Sequence, residues 1–177
     1  MIALNRILLV DDDTVTQIIH RRVIAKSGCA LSVDVACDGQ QALDLLHADL
    51  DSGRALPELV FLDVNMPCMG GFDFLDDYAK LGITPAEQWV ILTLSSPLLP
   101  ADDARAHSDA CVNSVCDKPL RCDAVVVLAK AFRQQQHPRP AAVLPRIYPE
   151  RSGAGPHQDR PSLPAGQGLP DWSRRAR

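Results

Sequence analysis

A chain of 177 residues with 46% hydrophobic content can bury one core of ordinary domain size, and 5% aromatic residues make that core aliphatic. The net charge of −4 is unevenly placed: from residue 134 onward seven arginines stand against Glu150, Asp159 and Asp171, while residues 1–133 carry 11 Lys+Arg against 19 Asp+Glu. An acidic globule of net −8 with a basic tail of net +4 argues against direct nucleic-acid binding by the folded part. No run approaches the roughly 20 apolar residues of a membrane-spanning helix, so no membrane role is expected. Met1 to Val10 is too short for a signal peptide. Cys29, Cys37, Cys68, Cys111, Cys116 and Cys122 include no C-x-x-C pair and no zinc spacing, which reads as reduced packing residues in a cytoplasmic protein.

Ile7-Leu8-Leu9-Val10 is predicted as a fully apolar strand that ends in Asp11, Asp12 and Asp13. Thr14 is predicted to cap a helix whose buried face is Val15, Ile18, Ile19 and Val23, stopping by Gly28. Val33, Val35 and Cys37 alternate with polar residues as a half-exposed edge strand does. Asp38-Gly39 turns the chain into a second helix with Ala42, Leu43, Leu45, Leu46 and Leu50 inward, followed by a surface loop at Asp51-Ser52-Gly53-Arg54.

Leu59-Val60-Phe61-Leu62 has the uninterrupted apolar character of a strand buried on both faces of a parallel sheet, and Met66-Pro67 stops it because proline gives no ladder N–H. Asp63 therefore stands at the carboxyl end of a central strand, where open α/β sheets place their ligands. Gly70-Gly71 leads to a short helix with Phe72, Leu75 and Tyr78 inward. Trp89 to Leu94 is a fourth strand, ending in Ser95-Ser96-Pro97, and Pro100 to Ser108 forms a helix. Cys111 to Cys116 is a weaker fifth strand before Asp117-Lys118-Pro119, and Val125, Leu128, Ala129 and Phe132 mark a last helix reaching about Gln136.

Five strands alternating with five helices at this spacing specify an α/β fold with a doubly wound parallel sheet. Residues 137–177 are rich in proline, glycine and arginine without apolar period, so a disordered tail is expected beyond a globular unit of residues 1–136. Ile147-Tyr148 and Leu169-Pro170-Asp171-Trp172 are its only sticky points and read as incidental residues rather than short docking motifs.

In such a sheet the first and third strands are neighbours, so Asp11, Asp12 and Asp63 converge on one crevice. Three like charges there need a cation, and oxygen-only ligands with room for waters suit Mg²⁺. Ser95 and Lys118 come off the ends of the fourth and fifth strands, and a hydroxyl and an ammonium are the groups a phosphoryl on a metal-bound carboxylate needs.

These segments, Leu9-Val10-Asp11-Asp12-Asp13, Phe61-Leu62-Asp63-Val64-Asn65-Met66-Pro67, Leu94-Ser95-Ser96 and Asp117-Lys118-Pro119-Leu120, resemble the receiver domain of bacterial two-component response regulators over about residues 5–133. The resemblance implies a flavodoxin-like sheet of order 2-1-3-4-5, with Asp63 accepting a phosphoryl group from a sensor histidine kinase or histidine phosphotransfer protein. It implies Mg²⁺ on Asp12 directly, on Asp11 through water, and on Asp63 and the Asn65 backbone carbonyl. It also implies Lys118 on the phosphoryl oxygens, a cis Lys118–Pro119 bond, and an α4-β5-α5 face that signals to a downstream protein. Ser95 is chosen as the switch hydroxyl because the small Ser96 follows it, with Thr93 as the fallback. Two positions depart from the family pattern: Val115 stands where an aromatic residue is usual, and Gly70 where an acidic one is. A degenerate receiver that binds partners without phosphorylation is the alternative. A second alternative is a haloacid-dehalogenase-like phosphatase, whose D-x-D-x-[TV] motif fits Asp11-Asp12-Asp13-Thr14-Val15, with Asp11 as nucleophile and Asp13 as acid/base.

Overall fold

The computed structural model describes residues 3–95 and 100–135. The expectations for Ser96 and Pro97, for Gln136 and for the tail at 137–177 lie outside those residues. In chain order the elements are β1 Leu4–Val10, α1 Thr14–Ser27, β2 Ala30–Ala36, α2 Gly39–Ser52, β3 Leu59–Asp63, α3 Gly71–Tyr78, β4 Trp89–Leu94, α4 Pro100–Ser108, β5 Val112–Asp117 and α5 Cys122–Gln134. The strands pair in parallel in the order β2-β1-β3-β4-β5. The chain winds first to one side of β1 and then, from β3, to the other. The crevice between the carboxyl ends of β1 and β3 is therefore the switch point of the sheet.

Side-chain alternation along each strand divides the core between the two faces of the sheet. Leu8, Val10, Val60, Leu62, Val90 and Leu92 pack with Ala42, Leu46, Phe74 and Leu75 of α2 and α3. Ile7, Leu9, Leu59, Phe61 and Ile91 pack with Ile24 of α1 and with Val125, Leu128 and Ala129 of α5. All five residues of β3 are buried, which is why its sequence is uninterrupted and apolar up to Asp63.

The first helix departs from expectation. Val15 is 63% exposed, Ile18 47% and Ile19 44%, while the buried positions are His20 and Ile24. A stripe one residue further round faces the sheet, because His20 finds a hydrogen-bond partner there. Asp13, not Thr14, is the cap: its carboxylate accepts the Val15 and Thr16 N–H groups at 3.0 and 3.3 Å.

In α2, Leu50 is exposed and Asp49 is buried in its place. Asp49 shares the buried Arg6 guanidinium with Asp34, whose Oδ2 lies 2.9 Å from Arg6 Nη1. In α3, Phe74 is fully buried whereas Phe72 is only half-buried. Strand β2 begins at Ala30 and stops at Ala36, leaving Cys37 exposed, and β5 runs one residue later than expected. Not all cysteines are packing residues, since Cys37 and Cys68 are exposed; in Cys116 burial pushes the thiol up to about 12. At the other end of β4 the Trp89 indole N–H donates to Gln135 Oε1 at 3.1 Å, and its ring stands edge-on to Phe132. Among the described residues no helix is long and apolar enough to cross a membrane.

Candidate functional site

Asp11 follows β1 directly and Asp63 closes β3, and these two strands are hydrogen-bonded neighbours. With Asp12 they bring carboxylate oxygens within 4.8 Å of one another, Asp11 and Asp63 buried and Asp12 exposed. Lys118, one residue past β5, places its ammonium between the two buried carboxylates, 2.7 Å from Asp11 Oδ2 and 2.8 Å from Asp63 Oδ2. One cation against three carboxylates leaves the crevice net negative.

Burial pushes the Asp63 carboxyl above its ordinary value, with the Lys118 hydrogen bond and charge acting against it. Burial also disfavours the Lys118 ammonium, but its hydrogen bonds to Asp11 and Asp63 outweigh that cost and hold its pKa above the usual lysine value. Asp11 Oδ2 is buried, and the Lys118 ammonium is its one ion-pair partner among the described residues. Such an oxygen, beside two further carboxylates, forms an all-oxygen set suited to a hard divalent cation.

The loops are fixed around this point by the backbone. The Asn65 N–H reaches Asp63 Oδ1 at 3.4 Å, and the Asp13 N–H donates to Asp11 Oδ1 at 3.0 Å. The Gly71 N–H donates to Val64 O at 3.0 Å, and a Cβ on Gly71 would stand 2.6 Å from Asp63 O, so only glycine admits this approach of α3 to the end of β3. Gly70 is the N-cap of α3 with φ −73°, a value any residue adopts, and it supplies no side-chain cap. The Gly39 N–H donates to Met69 O at 3.1 Å and ties the loop after β3 to the start of α2.

The two hydroxyls off β4 differ in setting. Thr93 is buried and stands directly across the ladder from Asp63, while Ser95 lies just past the strand end and is exposed. The Lys118 N–H donates to Leu94 O at 2.7 Å, which brings Ser95 and Lys118 onto adjoining strand ends. Val115 is buried in β5 opposite Leu92, an aliphatic core position, and the Lys118–Pro119 bond is cis.

The phosphatase alternative does not fit. It needs Asp13 as acid/base, and the Asp13 carboxylate is turned to the first turn of α1, where the Thr16 hydroxyl donates to it at 2.6 Å and holds its pKa below the usual range. Two residues escaped notice in the sequence. Gln17 Nε2 donates to Asp11 O at 2.6 Å, and His20 Nε2 accepts the Leu120 N–H at 3.1 Å, both from α1. No motif marks either one.

Comparison with known proteins agrees with this geometry. The probable methanogenesis regulatory protein FilR2 of Methanothrix harundinacea is 32% identical over 114 residues, covering 64% of this chain and 72% of that protein. The transcriptional regulatory protein CpxR of Escherichia coli is 39% identical over 82 residues, 46% of this chain but 32% of the relative, so the chain spans about a third of that longer protein. Among solved structures, a two-component response regulator from Cytophaga hutchinsonii superposes with a TM-score of 0.67 at 26% identity, covering 75% of this chain and 99% of its own. The family model for the response regulator receiver domain matches residues 7–133, which takes in every strand end described above, and the chain belongs to that family.

Proposed function

We propose that this receiver takes a phosphoryl group onto Asp63 from the phosphohistidine of a sensor histidine kinase or a histidine phosphotransfer protein. The observation that carries this reading is the ammonium of Lys118 lodged between Asp63 and Asp11, at 2.8 and 2.7 Å, at the switch point of the sheet. In the transfer an Asp63 oxygen forms a bond to phosphorus as the P–N bond of the donor breaks. The imidazole leaves with that electron pair and takes up a proton from solvent.

Lys118 is in position to follow the incoming oxygens as Asp63 gives up its negative charge, and Ser95 supplies a hydrogen bond from the mouth, with Thr93 as the fallback hydroxyl. Asp12 and Asp63, the Asn65 backbone carbonyl, and Asp11 through a water would hold Mg²⁺, a set supported by the three carboxylates gathered within 4.8 Å of one another. When bound, that ion neutralises the charge that gathers on the phosphoryl oxygens. The acyl phosphate on Asp63 hydrolyses slowly at the same site. Drawing Ser95 inward shifts the α4-β5-α5 face, a local charge event that biases a two-state element and changes the affinity for a downstream protein. We assign this chemistry to residues 1–136 in the cytoplasm, with 137–177 dispensable for it.

Intact-mass measurement with Mg²⁺ and acetyl phosphate tests the reading. The wild-type chain should gain a single phosphoryl adduct that requires Mg²⁺, persists when residues 137–177 are removed, and is absent from Asp63→Asn. An unmodified wild type would instead make the chain a module that binds partners without phosphorylation.

A further inference from the structure

His20 is the one polar residue among the buried residues of α1, His20 and Ile24, and is 2% exposed. A leucine would satisfy packing at such a place, so the imidazole calls for a reason. Its Nε2 accepts the backbone N–H of Leu120 at 3.1 Å, a buried hydrogen bond between residues 100 apart in the chain. Accepting at Nε2 requires the neutral ring with its proton on Nδ1. Burial lowers the His20 pKa, Lys118 lowers it further and Asp11 opposes, so the neutral form is favoured.

The bond matters because of where Leu120 sits. The connection from β5 to α5 is Lys118-Pro119-Leu120-Arg121, and proline has no N–H. Two of its backbone donors reach other elements: the Lys118 N–H donates to Leu94 O at the end of β4, and the Leu120 N–H to His20 of α1. The segment that carries the site lysine is thus held from both sides, once from the sheet and once from the helix that follows Asp11 and Asp12. The Leu120 N–H to His20 Nε2 bond is the contact that ties this segment directly to α1, the helix that follows the site carboxylates.

We propose that His20 is a positioning residue for Lys118, acting through the Leu120 N–H to hold the β5–α5 segment so that the ammonium meets Asp63. The proposal rests on the phosphoacceptor role of Asp63 for its consequence, though not for the anchor itself. Substituting His20→Leu keeps an apolar residue of suitable size and removes the acceptor, whereas His20→Gln restores an acceptor at nearly the position of Nε2.

Two readouts separate the outcomes in the full chain. Amide hydrogen exchange at Leu120, measured by NMR without any phosphodonor, should speed up at least tenfold in His20→Leu relative to wild type, and return to within about threefold in His20→Gln. The initial rate of adduct formation with acetyl phosphate and Mg²⁺ should fall about tenfold in His20→Leu and recover in His20→Gln. Unchanged Leu120 exchange in His20→Leu overturns the anchor. Faster exchange with an unchanged rate of adduct formation overturns the link to Lys118. Equal slowing in both variants makes His20 a packing residue and overturns the proposal. Absence of adduct in the wild type is a failure of the phosphoacceptor reading, and it removes the catalytic consequence while the exchange measurement still decides the anchor.

Discussion

Lys118 Nζ lies 2.8 Å from Asp63 Oδ2 while also touching Asp11 Oδ2 at 2.7 Å, so a single ammonium compensates carboxylates from two different strands. Both carboxylates are nearly inaccessible, with side chains 4% and 6% exposed. Removing the cation leaves two buried like charges facing each other. Lys118→Met is expected to lower the unfolding free energy in metal-free buffer near neutral pH by about 3 kcal/mol. Urea denaturation measures this directly, and a loss below about 1 kcal/mol would mean that the ion pair behaves as a surface contact.

Asp63 gives a pH dependence of definite sign. Burial holds its folded pKa above the unfolded value of 3.8, so the folded chain binds this proton more tightly than the unfolded chain. Stability contributed by that proton is present below the unfolded value and is lost as pH rises through the folded one. Asp63→Asn should therefore be more stable than wild type at pH 7, with the gain shrinking as pH falls toward the carboxylate range. Paired urea titrations at the two ends of that range provide the check, and a variant less stable at pH 7 would contradict the sign.

Far from the crevice, Arg6 is 5% exposed and binds both Asp34 and Asp49. With Arg6 gone, the only other ion-pair partner of Asp49 among the described residues is Arg54, at 3.5 Å with its side chain 60% exposed. Arg6→Leu is expected to cost on the order of 3 kcal/mol, and the double change with Asp49→Leu to cost less than the single one. Thermal or urea unfolding of the single and double variants would show whether the buried charge dominates.

Gly71→Ala forces a methyl group to within 2.6 Å of Asp63 O and 2.9 Å of Val64 Cα, both backbone atoms that cannot swing aside. We expect a stability loss of about 2 kcal/mol. Because the displaced backbone carries Asp63, adduct formation should slow as well. Wild-type rates with lowered stability would show that the shift is taken up by α3 alone.

Much of this molecule is legible from local pattern. The run from Leu59 to Asp63 announces a doubly buried strand, and polar residues at four strand ends announce the crevice, because alternation and chain punctuation are local properties. The face of α1 is not legible in the same way. Val15, Ile18 and Ile19 keep helical spacing yet point outward, while His20 turns inward to a partner from the far end of the domain. Hydrophobicity assigns a histidine to the surface unless its hydrogen-bond partner is known, and that partner becomes visible only once the sheet brings Leu120 beside α1. Asp49 was hidden for the same reason, since its burial depends on an arginine in β1.

Trp89 bears on how the protein can be followed in solution. Its indole opens β4 and is hydrogen-bonded to Gln135, four residues along the strand from Thr93, which faces Asp63. At a strand rise of about 3.3 Å per residue, the backbone of Trp89 lies about 13 Å from that of Thr93. The indole emission reports the docking of the end of α5 against the start of β4, once Trp172 is replaced so that Trp89 is the sole tryptophan. In a Trp172→Phe chain, fluorescence from Trp89 is a natural probe of unfolding, while events at Asp63 are better followed by a probe placed at the carboxyl ends of the strands.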